Sequence, residues 1–313
     1  MEPKLRIIRK KKSEAENAHL DPLMRALKAL HSAGAPESMT AEELERQRRS
    51  QEVLGRLTAP MAGMDYEEFS LGGMNAAWMR LKAPHGSRHA ILYCHGGGYT
   101  SGNLGYARVL ASKLAHVTGY DVLSFEYRLA PEHPYPAAVE DALRAWDHLM
   151  LLGYGARDVV LAGDSAGGNL ALVLCHRLKA AGRRLPGALV LMSPWTDMTM
   201  SGASYAERAE SDPMLTPEYI EAVRTAYAGG RDYASPDLSP LFADLTGFPP
   251  TLIQAGDHEI LYSDAETLCH ALERAGVPCR FEVSEGMWHV FQMFPLRKAA
   301  AAMESVARFL LER

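Results

Sequence analysis

The stretch Gly163-Asp164-Ser165-Ala166-Gly167 lies between an apolar run, Asp158 to Leu161, that reads as a buried strand and a run from Leu170 to Leu178 that reads as a helix. A serine held at such a strand-to-helix turn has its hydroxyl pushed out at the end of a sheet, where a nucleophile is wanted. The chain reverses so tightly there that the serine is driven toward a strained backbone, leaving no room for a Cβ two residues before or after it. Gly163 and Gly167 occupy those two positions. The pentapeptide alone also fits an ordinary glycine-rich turn, so the rest of the chain must supply partners for the serine.

From about Asp65 onward, short apolar runs alternate with helical ones. Strands are predicted over Tyr66 to Leu71, Ala76 to Leu81, Ala90 to Cys94, Asp121 to Phe125, Asp158 to Leu161, Ala188 to Met192, Thr251 to Gln254 and Arg280 to Val283. Helices are predicted over Tyr106 to Val117, Ala137 to Leu152, Leu170 to Ala181, Ser263 to Ala275 and from Leu296 onward. This pattern implies the α/β class, with a mainly parallel sheet covered on both faces. Upstream, Asp21 and Pro22 open one helix, and Thr40 with Glu43 forms a capping-box pattern that opens another. The connection Thr196 to Phe248 is too long for a plain loop and contains a helix signalled by Thr216-Pro217 and ended by Gly229, so it reads as an insertion over the active-site end of the sheet.

A serine hydroxyl needs a base within reach and a third group to orient that base. In α/β-hydrolases the acid and then the histidine follow the serine along the chain. Among 12 histidines, His289 stands just after the last predicted strand, on a loop before the final helix. Asp257 follows the apolar run from Thr251 and is the expected acid; Glu259 and Asp264 are its rivals, Asp264 being better suited to helix capping. An oxyanion needs pre-oriented N–H donors, which His95-Gly96-Gly97-Gly98 after a predicted strand and the Ala166 amide can provide. The glycine run lacks the patterns of a phosphate-binding loop.

Composition bounds the alternatives. The chain has 313 residues, is 47% apolar and carries a formal charge of -5. No run approaches the roughly 18 apolar residues of a membrane helix. The net charge argues against nucleic acid as a general partner. Lys4, Arg6, Arg9, Lys10, Lys11 and Lys12 make a basic arm, read as a solvated tail; no secretory signal follows it, and the expected compartment is cytoplasmic. Cys94, Cys175, Cys269 and Cys279 have no metal-like spacing and read as buried free thiols.

Taken with Tyr127-Arg128-Leu129-Ala130-Pro131-Glu132, Asp212-Pro213 and Gly168-Asn169, these motifs make the chain from about Ala90 to Phe291 resemble the hormone-sensitive-lipase-like family of α/β-hydrolase carboxylesterases. The resemblance implies an α/β-hydrolase fold with a mostly parallel eight-stranded sheet, flanked by helices and topped by a helical cap. It implies a Ser165, Asp257, His289 triad, an oxyanion hole from the amides of Gly97, Gly98 and Ala166, no metal or organic cofactor, and a homodimer. The implied reaction is hydrolysis of esters with short to medium acyl chains. Amide hydrolysis by the same triad, or a small-molecule receptor on a hydrolase scaffold, are the alternatives. Residues 1–60 are expected to be an N-terminal cap segment and 61–313 the catalytic domain, with 196–248 as a cap insertion. Tyr99, Met198, Tyr205, Met214, Leu23 and Leu27 are candidates to line the substrate pocket. Two positions depart from the family pattern: His258 and Glu259 follow Asp257 where proline and leucine are frequent, and Val290 follows His289 where glycine is frequent. The Tyr127 to Pro136 stretch reads as a rigid turn, with Arg128 and Glu132 available as an ion pair.

Overall fold

Strand Ala90–Cys94 is buried from end to end, and its side chains divide by parity between two cores. Ala90, Leu92 and Cys94 join one core, Ile91 and Tyr93 the other, so this strand belongs inside a sheet covered on both faces. A computed structural model of the chain describes residues 7–10, 22, 24–28, 40, 42–49, 61, 63–82 and 88–312. Its strands are β1 (Ile7–Lys10), β2 (Met64–Leu71), β3 (Met74–Leu81), β4 (Ala90–Cys94), β5 (Asp121–Phe125), β6 (Val159–Asp164), β7 (Ala188–Met192), β8 (Thr251–Gly256) and β9 (Cys279–Ser284). They form one sheet in the order β1-β9-β8-β7-β6-β4-β5-β3-β2. Neighbours are parallel except where β3 meets β2 and β5.

The helices are α1 (Leu104–Thr118), α2 (Ala137–Leu151), α3 (Ala166–Ala180), α4 (Ser204–Glu207), α5 (Pro217–Ala228), α6 (Tyr262–Arg274) and α7 (Arg297–Glu312). Apolar residues of α1 and α7 pack on one face of the sheet, and those of α2, α3 and α6 on the other. The strands and helices expected from the sequence are all present around this α/β sheet. The capping signals act as chemistry requires: the Thr216 side chain accepts from the Tyr219 amide, Pro217 opens α5, and Gly229 closes it in the left-handed conformation. One strand was not foreseen. Ile7–Lys10, inside the basic arm, pairs with β9 in parallel, Ile7 opposite Phe281; two isoleucines are too short a pattern to announce a strand without its partner.

The N-terminal residues 42–49 are helical, and the capping box holds, with Thr40 N donating to the Glu43 carboxylate and Glu43 N to Thr40 Oγ. Arg48 fastens this turn to the domain through Nε to Thr100 O at 2.8 Å, Nη2 to Ala130 O at 3.1 Å and a two-pronged contact with Glu132 at 2.9 and 2.8 Å. The expected Arg128–Glu132 pair is therefore corrected. Arg128 turns instead to Asp141 and Glu140 on α2, whose first turns lie under the rigid stretch. The Arg48 guanidinium holds the Glu132 carboxyl at about 2, below its ordinary 4.5. A depressed carboxylate contributes stability that is present above its unfolded value and lost as pH falls toward the folded one. Lowering the pH from 4.5 toward 2 is thus expected to release residues 42–49 progressively, and an R48A variant to show that release at neutral pH; hydrogen exchange of the 42–49 amides checks both.

Candidate active site

The C-terminal ends of β4, β6, β8 and β9 all deliver loops to one end of the sheet, where open α/β sheets gather their chemistry. Between β6 and α3, Ser165 has φ 54° and ψ -122°, a conformation that L-residues adopt only under strain. Its carbonyl accepts from the amides of Gly168, Asn169 and Trp195, so the turn is held by hydrogen bonds on its inner side. The glycine requirement is borne out. A Cβ at Gly163 would stand 2.2 Å from Gly167 O, and one at Gly167 would stand 2.1 Å from Cys94 O and 2.5 Å from His95 O.

That second contact joins the serine turn to the glycine-rich loop. Gly97 and Gly98 have φ of 112° and 61°. Gly97 O accepts from Thr100 N, Ser101 N and Ser101 Oγ, which curls the loop, and neither the Gly97 nor the Gly98 amide donates to an acceptor among the described residues. Ala166 is the first residue of α3, so its N–H has no partner within the helix. The loop is pinned from below by Asp164, which is fully buried and accepts from Gly96 N at 2.9 Å, from Tyr106 OH at 2.6 Å and from Tyr93 OH. Burial pushes the Asp164 carboxyl up; the two tyrosine hydroxyls and nearby His289 oppose it. His95 stacks on Tyr127 with ring centroids 4.1 Å apart and donates from Nδ1 to Gly96 O. Burial lowers it to about 4, so at neutral pH it is an uncharged packing group.

After β9, His289 is 5% exposed, and its Nδ1 lies 3.1 Å from Oε2 of Glu259, a carboxylate with no exposure at all. The other oxygen, Oε1, accepts from Gly256 N at 3.2 Å. The imidazole therefore meets Glu259 and not the expected Asp257. Asp257 leaves the strand end pointing toward the histidine loop, where its Oδ1 accepts from Gly286 N, and its side chain is 29% exposed. Two residues further on, the Glu259 side chain turns back to the end of β8, where it meets both Gly256 N and the histidine. The rival Asp264 is also buried, but its Oδ2 accepts from Thr196 N and Asp197 N, bracing the loop after β7 rather than capping its own helix; burial raises it to about 7. Val290 takes φ 50°, which accounts for glycine being frequent at that place, and Ser193 Oγ accepts its amide. Lys113 of α1, which the sequence did not flag, donates to the carbonyls of Gln292, Met293 and Phe294 just beyond the base.

The candidate lining residues divide. Tyr99 and Met198 are fully buried and Tyr205 nearly so; Tyr99 stacks flat on Tyr227 at 3.6 Å and donates to Asn169 Oδ1, so all three pack in the core of this structure. Met214 and Leu27 are only partly buried and pack, with Met24, on the cluster of Met287, Trp288 and Phe291 that surrounds the base. Leu23 lies outside the described residues. Tyr219 and Val223 of α5 approach Gly98 so closely that a Cβ there would be 3.1 and 3.0 Å from them, setting the insertion directly on the glycine loop. Among the described residues no cluster of His, Cys, Asp or Glu is arranged to hold a metal, and no helix is long and apolar enough to cross a membrane. The cysteines are free thiols.

A serine turn after β6, a carboxylate after β8 and a histidine after β9 follow the chain order of the α/β-hydrolases. A family model described as the alpha/beta hydrolase fold matches residues 91–293. An acetyl-hydrolase of Streptomyces hygroscopicus is 38% identical over 264 residues, which are 84% of this chain and 86% of that protein. An esterase of Acinetobacter venetianus is 37% identical over 232 residues, 73% of this chain and 77% of its own. The crystal structure of an esterase from the bacterial hormone-sensitive lipase family superposes with a TM-score of 0.87 at 34% identity, covering 97% of this chain and 99% of that one. The chain belongs to the hormone-sensitive-lipase-like family of α/β-hydrolase carboxylesterases, the carboxylic ester hydrolases.

The contact between the serine turn and β4 is open to test. Replacing Gly167 with alanine should destabilise the fold by about 3 kcal/mol or more, since backbone oxygens cannot give way to the new methyl group. Denaturant unfolding measures this, and turnover should fall along with it, because the shift moves Ser165 and the glycine loop apart.

Proposed function

We propose that the protein is a serine carboxylesterase for esters with short to medium acyl chains, working through Ser165, His289 and Glu259. The observation that carries this reading is the hydrogen bond from His289 to the fully buried Glu259, behind a serine held in a strained turn. Glu259 fixes the proton on Nδ1 and leaves Nε2 as the base. In the first step His289 takes the Ser165 proton as Oγ adds to the ester carbonyl, and the amides of Gly97, Gly98 and Ala166 receive the negative charge on the carbonyl oxygen. Collapse of the adduct expels the alcohol, which takes the proton from His289. Water, deprotonated by the same imidazole, then adds to the acyl-enzyme; the acid departs and Ser165 regains its proton.

The acyl pocket is assigned to the space bounded by the glycine loop, by Tyr219 and Val223 of α5, and by Met214 with Leu27 beside the base. The N-terminal segment and residues 196–248 form the cap in this reading, which is supported by Gln47 Nε2 donating to Tyr219 OH at 2.7 Å.

S165A and H289A are expected to lower kcat on p-nitrophenyl butyrate by about four to six powers of ten with the fold retained. E259Q should lower it by about 10²- to 10⁴-fold, and D257N by less than about tenfold. A D257N loss larger than that of E259Q would return the acid role to Asp257. Across p-nitrophenyl esters of increasing acyl length, kcat/KM should peak at short to medium chains, and Y219A should move the peak toward longer ones.

A further inference from the structure

The loop that carries Glu259 is gripped on both sides by the insertion. Three side chains at four-residue spacing do this. Arg208 Nη1 donates to Asp257 O at 2.6 Å, two residues before Glu259, and its guanidinium lies 3.7 Å over the Tyr262 ring. Asp212 Oδ2 accepts from Ile260 N at 2.8 Å, and Ser204 Oγ donates to Ile260 O at 2.5 Å, so both polar groups of the residue after Glu259 are taken. Ser204 and Ser263 also exchange hydrogen bonds, each backbone amide to the other's hydroxyl, at 3.0 and 2.9 Å. Asp212 is 3% exposed, and its second oxygen accepts from the amides of Met214 and Leu215 at 2.8 and 3.1 Å.

We infer that Asp212 is a positioning residue for the catalytic carboxylate: it ties the start of the cap helix region to the peptide next to Glu259, and so sets where Glu259 meets His289. This rests on the proposed role of Glu259. A buried carboxylate is a costly way to brace a loop unless it accepts several amides at once, and here it accepts three, one from the acid loop and two from its own turn. Burial raises the Asp212 carboxyl to about 6, with His289 opposing and Glu259 adding to the rise, so all three groups share one electrostatic neighbourhood. Displacing a catalytic group by about 1 Å costs on the order of 100-fold in rate.

An asparagine at 212 has one acceptor oxygen in place of two, so either Ile260 N or the Met214 and Leu215 amides lose their partner. D212N is expected to lower kcat by about 10- to 100-fold with KM within about threefold of wild type. In an E259Q background the same change should lower kcat by less than about threefold, because the residue it positions no longer acts. Should D212N not fold by circular dichroism, R208A takes its place, releasing the other side of the same loop, with the same split of kcat from KM and the same loss of effect in E259Q. Equal losses in both backgrounds, a raised KM at unchanged kcat, or wild-type kinetics would overturn the inference. If E259Q alone kept full turnover, the triad reading would fall and this inference with it; a crippled E259Q beside a wild-type-like D212N would sink this inference alone.

Discussion

Gly167 lies against the backbone carbonyls of Cys94 and His95 with no space for a methyl group between them. This approach of α3 to the end of β4 locks two pieces of catalytic equipment into one rigid object, the nucleophile turn and the glycine loop. Asp164 completes the join from inside, since one carboxylate receives the Gly96 amide and two tyrosine hydroxyls. In the proposed reaction the donors and the serine share this frame, so little reorganisation accompanies the negative charge that develops on the substrate, the condition under which oriented amides are most effective. The strain at Ser165 is tolerated because the surrounding hydrogen bonds over-determine it.

Glu259 and His289, the proposed acid and base, lack so direct a tie to that frame. Their loops follow β8 and β9 and are held by side chains from far along the chain: Ser204, Arg208 and Asp212 on the acid side, Lys113 and Ser193 on the base side. Three buried aspartates, Asp164, Asp212 and Asp264, recur in this scheme, each accepting backbone amides from a loop at the same end of the sheet. A carboxylate accepting several N–H groups at once fixes a loop without a regular ladder, and burial makes the loss of any one bond expensive. Loop order at this end is therefore built from ionisable groups rather than from apolar packing alone.

The sequence revealed those features whose cause is local. The serine turn, the capping box at Thr40 and Glu43 and the limits of α5 each follow from residues a few positions apart. His289 stands out in the sequence through its place after the last strand. Which of Asp257 and Glu259 meets His289 is not legible in the sequence, because it depends on the path of the turn after Gly256, and that turn is contacted by the distant Ser204, Arg208 and Asp212. The burial of Tyr99 and Met198 is hidden for another reason: an apolar or aromatic residue near a site has the same sequence signature whether it faces a cavity or fills the core. The Arg48–Glu132 pair joins residues 84 positions apart, so the sequence around Glu132 points instead to nearby Arg128.

Strand β1 bears on more than the architecture of one molecule. Without Ile7–Lys10, the backbone of β9 from Phe281 to Ser284 would present a row of open N–H and C=O groups along the flank of the sheet. Such a row is a template on which a second sheet can extend. The covering strand is four residues long, and shortness is one of the devices that discourage further strand addition. With Ile7–Lys10 in place, that stretch of β9 is paired on both sides.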